Sequence, residues 1–191
     1  MFENIVIGWA ITGSFCTIPE VYIEIEKVIK EGAKIIPIAS EIVASTNTRM
    51  GESEKIIQKL EEITKEKVRK NINETEPFGP QKTLDALIIL PATGNTIAKL
   101  SNGITDSSVL MAAKAHLRNN KPLIIGVSTN DGLSSNARNI GDLLNKKNIY
   151  FVPFRQDDPI NKPNSLKYNK DQIIPTIESA LNNKQIQPIL V

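Results

Sequence analysis

Ala86-Leu87-Ile88-Ile89-Leu90-Pro91-Ala92-Thr93-Gly94-Asn95-Thr96-Ile97-Ala98-Lys99-Leu100 decides how the rest of the chain reads. An apolar run stops at Pro91, crosses a small polar loop and becomes a helix. The run has the length and content of a strand covered on both faces, which is how a parallel sheet reads. Pro91 has no N–H to give to a ladder, so the strand is expected to end there. Thr93, Gly94, Asn95 and Thr96 place short hydroxyl and amide groups at a helix start, where backbone N–H groups lack partners. In an open α/β sheet, ligands bind at the loops beyond the strands' carboxyl ends. The same residues would also serve as plain helix caps, and spacing alone leaves both readings open.

The alternation of apolar run and helical stripe continues in both directions. Toward the N-terminus, residues 4–9 read as a first buried strand, and Ala10-Ile11-Thr12-Gly13-Ser14 turns into a helix that reaches about residue 31. Thr17 and Glu20 have capping-box spacing, Val21, Ile25, Val28 and Ile29 form an apolar stripe, and Gly32 is placed as the C-terminal cap. Residues 33–38 read as the second strand, with Ser40 just beyond it, and residues 51–65 as an amphipathic helix with a solvated Glu/Lys face. Residues 66–83 carry Pro77, Gly79 and Pro80 and read as a loop with room for a short turn. Toward the C-terminus follow a helix over 106–118, a fourth strand over 122–127 and a polar loop over 128–135. A helix with Ile140, Leu143 and Leu144 leads to a fifth strand over 149–152. Residues 155–169 are polar and too long for a simple connection, and a closing helix spans 171–183. The expectation is one α/β domain over 1–191, a doubly wound parallel sheet of about five strands, Rossmann-like or flavodoxin-like.

Composition narrows the function classes. An apolar share of 40% with mixed charges describes a globular chain rather than a disordered one. The 23 Lys and Arg against 21 Asp and Glu are scattered, so the net charge of +2 implies neither nucleic acid nor an anionic membrane as partner. Cys16 stands alone, which rules out an internal disulfide and suits a reducing compartment. No apolar run approaches the roughly 20 residues of a membrane span. The N-terminus leads directly into a strand without a signal-peptide pattern, so a cytoplasmic location is expected.

The first loop, Gly8-Trp9-Ala10-Ile11-Thr12-Gly13-Ser14, lacks G-x-G-x-x-G spacing, and Ser14-Phe15 stand where a P-loop carries its Lys and hydroxyl pair. The chain is therefore a poor candidate to bind NAD(P) or ATP itself. Thr12, Gly13 and Ser14 still put hydroxyls and a bare backbone at a helix start, which suits one phosphate or a capped tight turn. Arg49 and Arg155 each sit in a polar loop, where a guanidinium fork grips a carboxylate or simply faces water. Asp157 and Asp158 precede Pro159 and suit a turn; without a His or Cys cluster they do not make a metal site. Cys16 is placed as a small buried thiol, and His116, the sole histidine, lies mid-helix, away from any Ser-His-Asp arrangement.

Pro91-Ala92-Thr93-Gly94-Asn95-Thr96-Ile97-Ala98-Lys99-Leu100, followed by Asn102-Gly103-Ile104-Thr105-Asp106, resembles the P-x-T-A-N-T-x-x-K-x-A-x-G-I-x-D pattern of the FMN-binding flavoprotein family. Within it, Thr12-Gly13-Ser14, Ser45-Thr46-Asn47-Thr48-Arg49, Ser128-Thr129-Asn130-Asp131 and Pro153-Phe154-Arg155-Gln156-Asp157-Asp158-Pro159 make the chain similar to the dipicolinate synthase branch found in spore-forming bacteria. The resemblance implies FMN held by Thr12, Gly13, Ser14, Ser40, Thr93, Gly94, Asn95, Thr96, Ser128 and Asn130. It implies a second, A-type chain of dipicolinate synthase as partner, carrying NAD(P), and oxidation of a dihydrodipicolinate-pathway intermediate to dipicolinate in the mother cell during sporulation. A dicarboxylate substrate would give Arg49 and Arg155 a task, one for each end. Self-association is implied as well. The pattern departs from the decarboxylase members, whose loop after the fourth strand carries Pro-Met-Asn: here only Asn130 matches, and no histidine stands in a catalytic context. An independent FMN enzyme (decarboxylase or flavin prenyltransferase) and a non-catalytic partner that only stabilises the A-type chain are the alternatives.

Overall fold

Apolar runs with no polar face need cover on both sides, and the five that the sequence marks lie side by side as parallel strands. In the computed structural model, which describes residues 1–191, they are β1 (Val6–Ile11), β2 (Lys34–Ala39), β3 (Ala86–Ala92), β4 (Leu123–Thr129) and β5 (Ile149–Phe151). Their order in the sheet is β2-β1-β3-β4-β5, every neighbouring pair parallel. The chain winds outward from β1 in one direction and from β3 in the other, so the switch in direction falls between these two strands. That crevice is where a flavodoxin-like sheet receives its ligand.

The helices follow in chain order as α1 (Ile18–Lys30), the short α2 (Glu41–Ser45), α3 (Ser53–Thr64), and the single turns α4 (Ile72–Thr75) and α5 (Phe78–Gln81). After β3 come α6 (Gly94–Ser101) and α7 (Ser108–Leu117), then α8 (Ala137–Leu144) and α9 (Ile173–Leu181). The alternation of side chains along each strand divides the core. Ile7, Trp9 and Ile11 of β1 with Ala86, Ile88 and Leu90 of β3 pack beneath Val21, Ile25, Leu60 and Ile177 of α1, α3 and α9. Ala10, Leu87, Ile89 and Ala92 face the other way, against Ile97, Val109, Ala113, Ile140 and Leu143 of α6, α7 and α8. The indole of Trp9, fully buried, donates to the Leu90 carbonyl at 3.0 Å and ties the two central strands side chain to backbone.

Four expectations change. β3 does not stop at Pro91 but runs to Ala92; its pairing with β4 shifts register between Ile89 and Ala92, so the residue without an N–H sits in an irregularity of the ladder. Residues 66–83 hold α4 and α5, which close over α7, and near Arg69 the backbone adds a parallel bridge to Ile38 that covers the outer edge of β2. The sheet has seven strands rather than about five, because residues 155–169 are built around a hairpin of β6 (Phe154–Arg155) and β7 (Leu166–Tyr168). β5 ends at Phe151 while β4 continues to Thr129, and β7 pairs antiparallel with that exposed end through Ser128 and Thr129. Finally, Thr17 makes no capping box: its hydroxyl donates to the Ser14 carbonyl at 2.7 Å, and a turn of 3-10 helix over Phe15–Thr17 precedes α1. Gly32 is the expected αL-type stop, at φ +102°.

Candidate functional site

All the loops beyond the parallel strands open at one edge of the sheet, and one hydrogen-bonded tie holds the two that flank the switch point. The Thr12 hydroxyl, at the end of β1, donates to the Pro91 carbonyl at 2.7 Å and accepts from the Thr93 N–H at 3.0 Å. Thr93 in turn caps α6, its hydroxyl accepting from the Thr96 N–H at 3.4 Å. Thr12 is 1% exposed and its hydroxyl is committed to this tie, so it shapes the crevice. Two cavities of about 500 Å³ each lie on either side and share Gly13 and Thr93 as a common wall.

The first cavity is lined by hydroxyls and helix starts: Ser40, Asn95, Thr96 and Ser107, with Glu41, Lys99 and Asp106 at its margin. Ser40 follows β2 and is 8% exposed, and its Oγ has no hydrogen-bond partner. A buried hydroxyl without a partner is costly, which marks it as a group awaiting one. The first turn of α6 brings its N–H groups to the same space. Both acids at the margin are engaged: Glu41 accepts from the Ser108 N–H at 2.9 Å, and Asp106 pairs with Lys99 at 2.6 Å. Hydroxyls and a helix N-terminus, with the carboxylates turned elsewhere, suit a phosphate group.

The second cavity is cationic. Ser14, Ser128, Thr129 and Asn130 line it, and Arg49 from one segment and Lys162 and Lys167 from another face it against one lining carboxylate, Asp157. The Ser14 and Ser128 hydroxyls share a hydrogen bond of 2.9 Å, and Thr17 donates to Ser14 Oγ at 2.8 Å. Lys167 pairs with Glu20 at 3.2 Å and Lys162 loosely with Asp157 at 3.9 Å, which leaves the Arg49 guanidinium outside the ion pairs of this cleft. Behind Lys167 the Tyr168 phenol is buried beside Glu20, and both burial and that carboxylate push its ionisation far above the ordinary range.

Of the residues that the sequence singles out, the fold brings Gly13, Ser14, Thr93, Ser128, Asn130 and Arg49 to the cationic cavity, and Thr12, Ser40, Asn95 and Thr96 to the hydroxyl cavity. Gly94 lines neither. It is buried at the start of α6, where a Cβ would stand 2.5 Å from Asn136 Nδ2, 2.6 Å from Asp131 Oδ1 and 2.7 Å from Thr129 Oγ1. Those atoms form one network: Thr129 donates to Asp131 at 2.6 Å, Asn136 donates to its other oxygen at 2.8 Å, and Asn139 donates to Asn136 at 2.9 Å. Asp131 thus ties the loop that carries Ser128 and Asn130 to the start of α8, and this network lies so close over the start of α6 that only a glycine fits there. Arg155 is exposed on β6, directly across from Lys167, and lines neither cavity; the cations contributed by its segment are Lys162 and Lys167. Cys16 is exposed at the mouth of the cationic cavity rather than buried, because the 3-10 turn lifts it out of α1. His116 is packed into the core at 1% exposure, its Nε2–H donating to the Pro122 carbonyl at 2.9 Å, and burial lowers its pKa to about 4.

The sequence offered no sign of Lys162 or Lys167, which lie in a polar segment of no clear periodicity and reach the cleft only because the hairpin folds back. The partnerless state of Ser40 and the network around Asp131 are equally tertiary.

Comparison with known proteins bears on the fold and on the family. The family model described as Flavoprotein matches residues 1–170. The B-type subunit of dipicolinate synthase from Bacillus subtilis (strain 168) is 48% identical over 185 residues, which cover 97% of this chain and 92% of that protein. The crystal structure of the B-type subunit of dipicolinate synthase from Bacillus halodurans superposes with a TM-score of 0.92 at 46% identity, over 100% of this chain and 97% of the other. The FMN-binding protein AtHal3 shares the fold at a TM-score of 0.65 and 17% identity, over 92% and 96% of the two chains.

Proposed function

The chain belongs to the Flavoprotein family, and from that premise we propose that it acts as the B-type subunit of a two-chain dipicolinate synthase, with FMN and a dicarboxylate in its two joined cavities. The coarser part, a flavin-related enzyme role, follows from the family and from the full-length similarity to dipicolinate synthase chains of the B type. The observation that carries the finer part is the contrast between the cavities. One offers an unpartnered Ser40 hydroxyl and the start of α6, and the other a cationic cleft across Gly13 and Thr93.

Ser40, Asn95 and Thr96 would hold the FMN phosphate by hydroxyl, amide and helix N–H groups, without a lysine or arginine of their own beyond Lys99. Ser14, Ser128 and Asn130 offer polar contacts to the rest of the cofactor along the shared wall. FMN, when bound, supplies a two-electron hydride acceptor. The work of the protein is then orientation and charge. Arg49 can grip one carboxylate through two parallel N–H bonds, which fixes the plane of a planar diacid as well as its position. The clamp at Asp131 holds Ser128 and Asn130 rigidly opposite, so the substrate meets a preformed floor. The first loop has no dinucleotide fingerprint, and the name of the B-type relatives speaks of a second chain, so NAD(P) is assigned to that A-type partner. The decarboxylase alternative gains no support from the sole histidine, which sits on α7 in the core and is bonded to the Pro122 carbonyl.

The test is dipicolinate formation by this chain mixed with its A-type partner, followed by the absorbance of the aromatic product. Neither chain alone should give the full rate, and addition of this chain should raise it. Equal rates with and without it would remove the proposal.

A further inference from the structure

We propose that Lys162 and Lys167, both on the β6–β7 hairpin, hold the second carboxylate of the substrate opposite Arg49, so that the hairpin is the part of the chain that demands a diacid. The inference rests on the reading of the cleft as a dicarboxylate site and names the residues that would set its selectivity. Three observations carry it. The lining of the cleft holds three cations and one carboxylate, and with Glu20 behind Lys167 counted as well the cleft keeps a net positive charge that favours an anionic ligand. The cations come from two sides: Arg49 follows α2, while Lys162 and Lys167 arrive together on the hairpin.

The third observation is that the hairpin is held in place over the cleft. The Leu133 N–H, in the loop after β4, donates to the Asn164 carbonyl at 3.0 Å, and within the hairpin Gln156 donates to the Pro163 carbonyl at 2.7 Å and the Lys162 N–H to the Asp158 carbonyl at 2.8 Å. Leu166 rests so closely on Gly132 that a Cβ there would meet its Cδ1 at 2.7 Å. Glu20 holds Lys167 Nζ at 3.2 Å, and the other oxygen of Glu20 is buried without a partner. A lysine placed this way by a neighbouring acid is oriented before ligand arrives, which lowers the ordering cost of binding. A monoacid held by Arg49 leaves the lysines to Glu20 and Asp157, whereas a diacid engages both sides.

The experiment is calorimetric titration of the full chain with dipicolinate and with picolinate, which has one carboxylate, alongside FMN titration by flavin fluorescence. Lys162→Gln should weaken dipicolinate about fivefold, the range of a partly exposed charged contact, and leave picolinate and FMN unchanged. Lys167→Gln alone would strand the Glu20 carboxylate, so it is paired with Glu20→Gln. That double variant keeps the net charge and removes only the direct contact, and it should cost dipicolinate about tenfold with its melting temperature preserved. Loss of selectivity for dipicolinate over picolinate in both variants supports the proposal. Unchanged selectivity overturns it, as does weakening of FMN in place of dipicolinate, which would give the cleft to the cofactor's phosphate. Wild-type chain that takes up FMN but no dipicolinate also overturns the inference while leaving the flavin reading intact; the reverse pattern sinks the flavin reading and leaves this one standing.

Discussion

Gly94→Ala is the most informative single change, because two physical effects at this position carry opposite signs. Gly94 begins α6 without a positive φ, so on backbone grounds alone an alanine would stabilise the chain by about 0.5–1 kcal/mol. Packing says otherwise. The new methyl would stand 2.5, 2.6 and 2.7 Å from Asn136 Nδ2, Asp131 Oδ1 and Thr129 Oγ1, none of them the end of a long flexible side chain. Reaching ordinary contact requires displacements of up to about 1 Å, enough to break the Thr129–Asp131 and Asn136–Asp131 bonds of 2.6 and 2.8 Å. Hydrogen bonds to a carboxylate contribute about 1.5–3 kcal/mol each, and overpacking itself costs about 1–3 kcal/mol. Part of the loss is recovered by water at the exposed side of the loop, so the net expectation is a loss of about 2–3 kcal/mol. For a chain of this size that lowers Tm by roughly 5–10 °C. Urea denaturation followed by circular dichroism measures it, with an unchanged slope required for a simple stability reading. Gly141→Ala on α8 is the control: a Cβ there meets nothing within 4 Å, so that variant should gain about 0.5–1 kcal/mol. A Gly94→Ala protein as stable as the parent, or more so, would refute the clamp.

Thr12→Val keeps shape and removes the hydroxyl that receives the Thr93 N–H, so it should lose about 1–3 kcal/mol in the same urea assay whether or not ligand is present. His116 has a folded pKa of about 4, below its ordinary 6.5, so protons favour the unfolded chain. Its contribution is complete above about pH 6.5 and declines as the pH falls toward 4, by about 2 kcal/mol between pH 8 and pH 5. A His116→Gln variant should show a flatter fall in Tm over that interval, and an identical slope would show that His116 is not the titrating group. Arg49→Lys keeps the charge but loses the planar fork, so KM for the diacid in the two-chain assay should rise about tenfold with Tm unchanged. A lowered Tm with normal kinetics would make Arg49 structural.

The parallel core was legible because it rests on local signals. Runs such as Leu87-Ile88-Ile89-Leu90 and Ile124-Ile125 have no polar face, and the stripes of α1, α3 and α9 return every third or fourth residue, so strands, helices and the edge that gathers Thr12, Ser40, Thr93 and Ser128 could be placed from pattern. What escaped depends on pairings between distant residues. The hairpin forms because β4 outlasts β5 and leaves Ser128 and Thr129 without a neighbour, a fact about two strand lengths that no window around Leu166 contains. Lys167 rather than Arg155 faces the cleft although the two are directly paired, a matter of which strand of the hairpin lies inward. Pro91 misled because a ladder can shift its register around a residue that has no N–H. Gly94, read as part of the ligand loop, is instead required by Asp131, which lies beyond the whole of α7 and β4 in sequence.

The two cavities are expected to act together, one on FMN and the other on a diacid. This joint action is tested most directly by titrating FMN into the purified chain while recording the visible spectrum, then adding dipicolinate to the complex. One FMN per chain is expected, with a shift of the flavin bands that saturates with dipicolinate but is much weaker with picolinate. A chain that takes up no FMN, or a flavin spectrum that dipicolinate leaves untouched at saturating concentration, would contradict it.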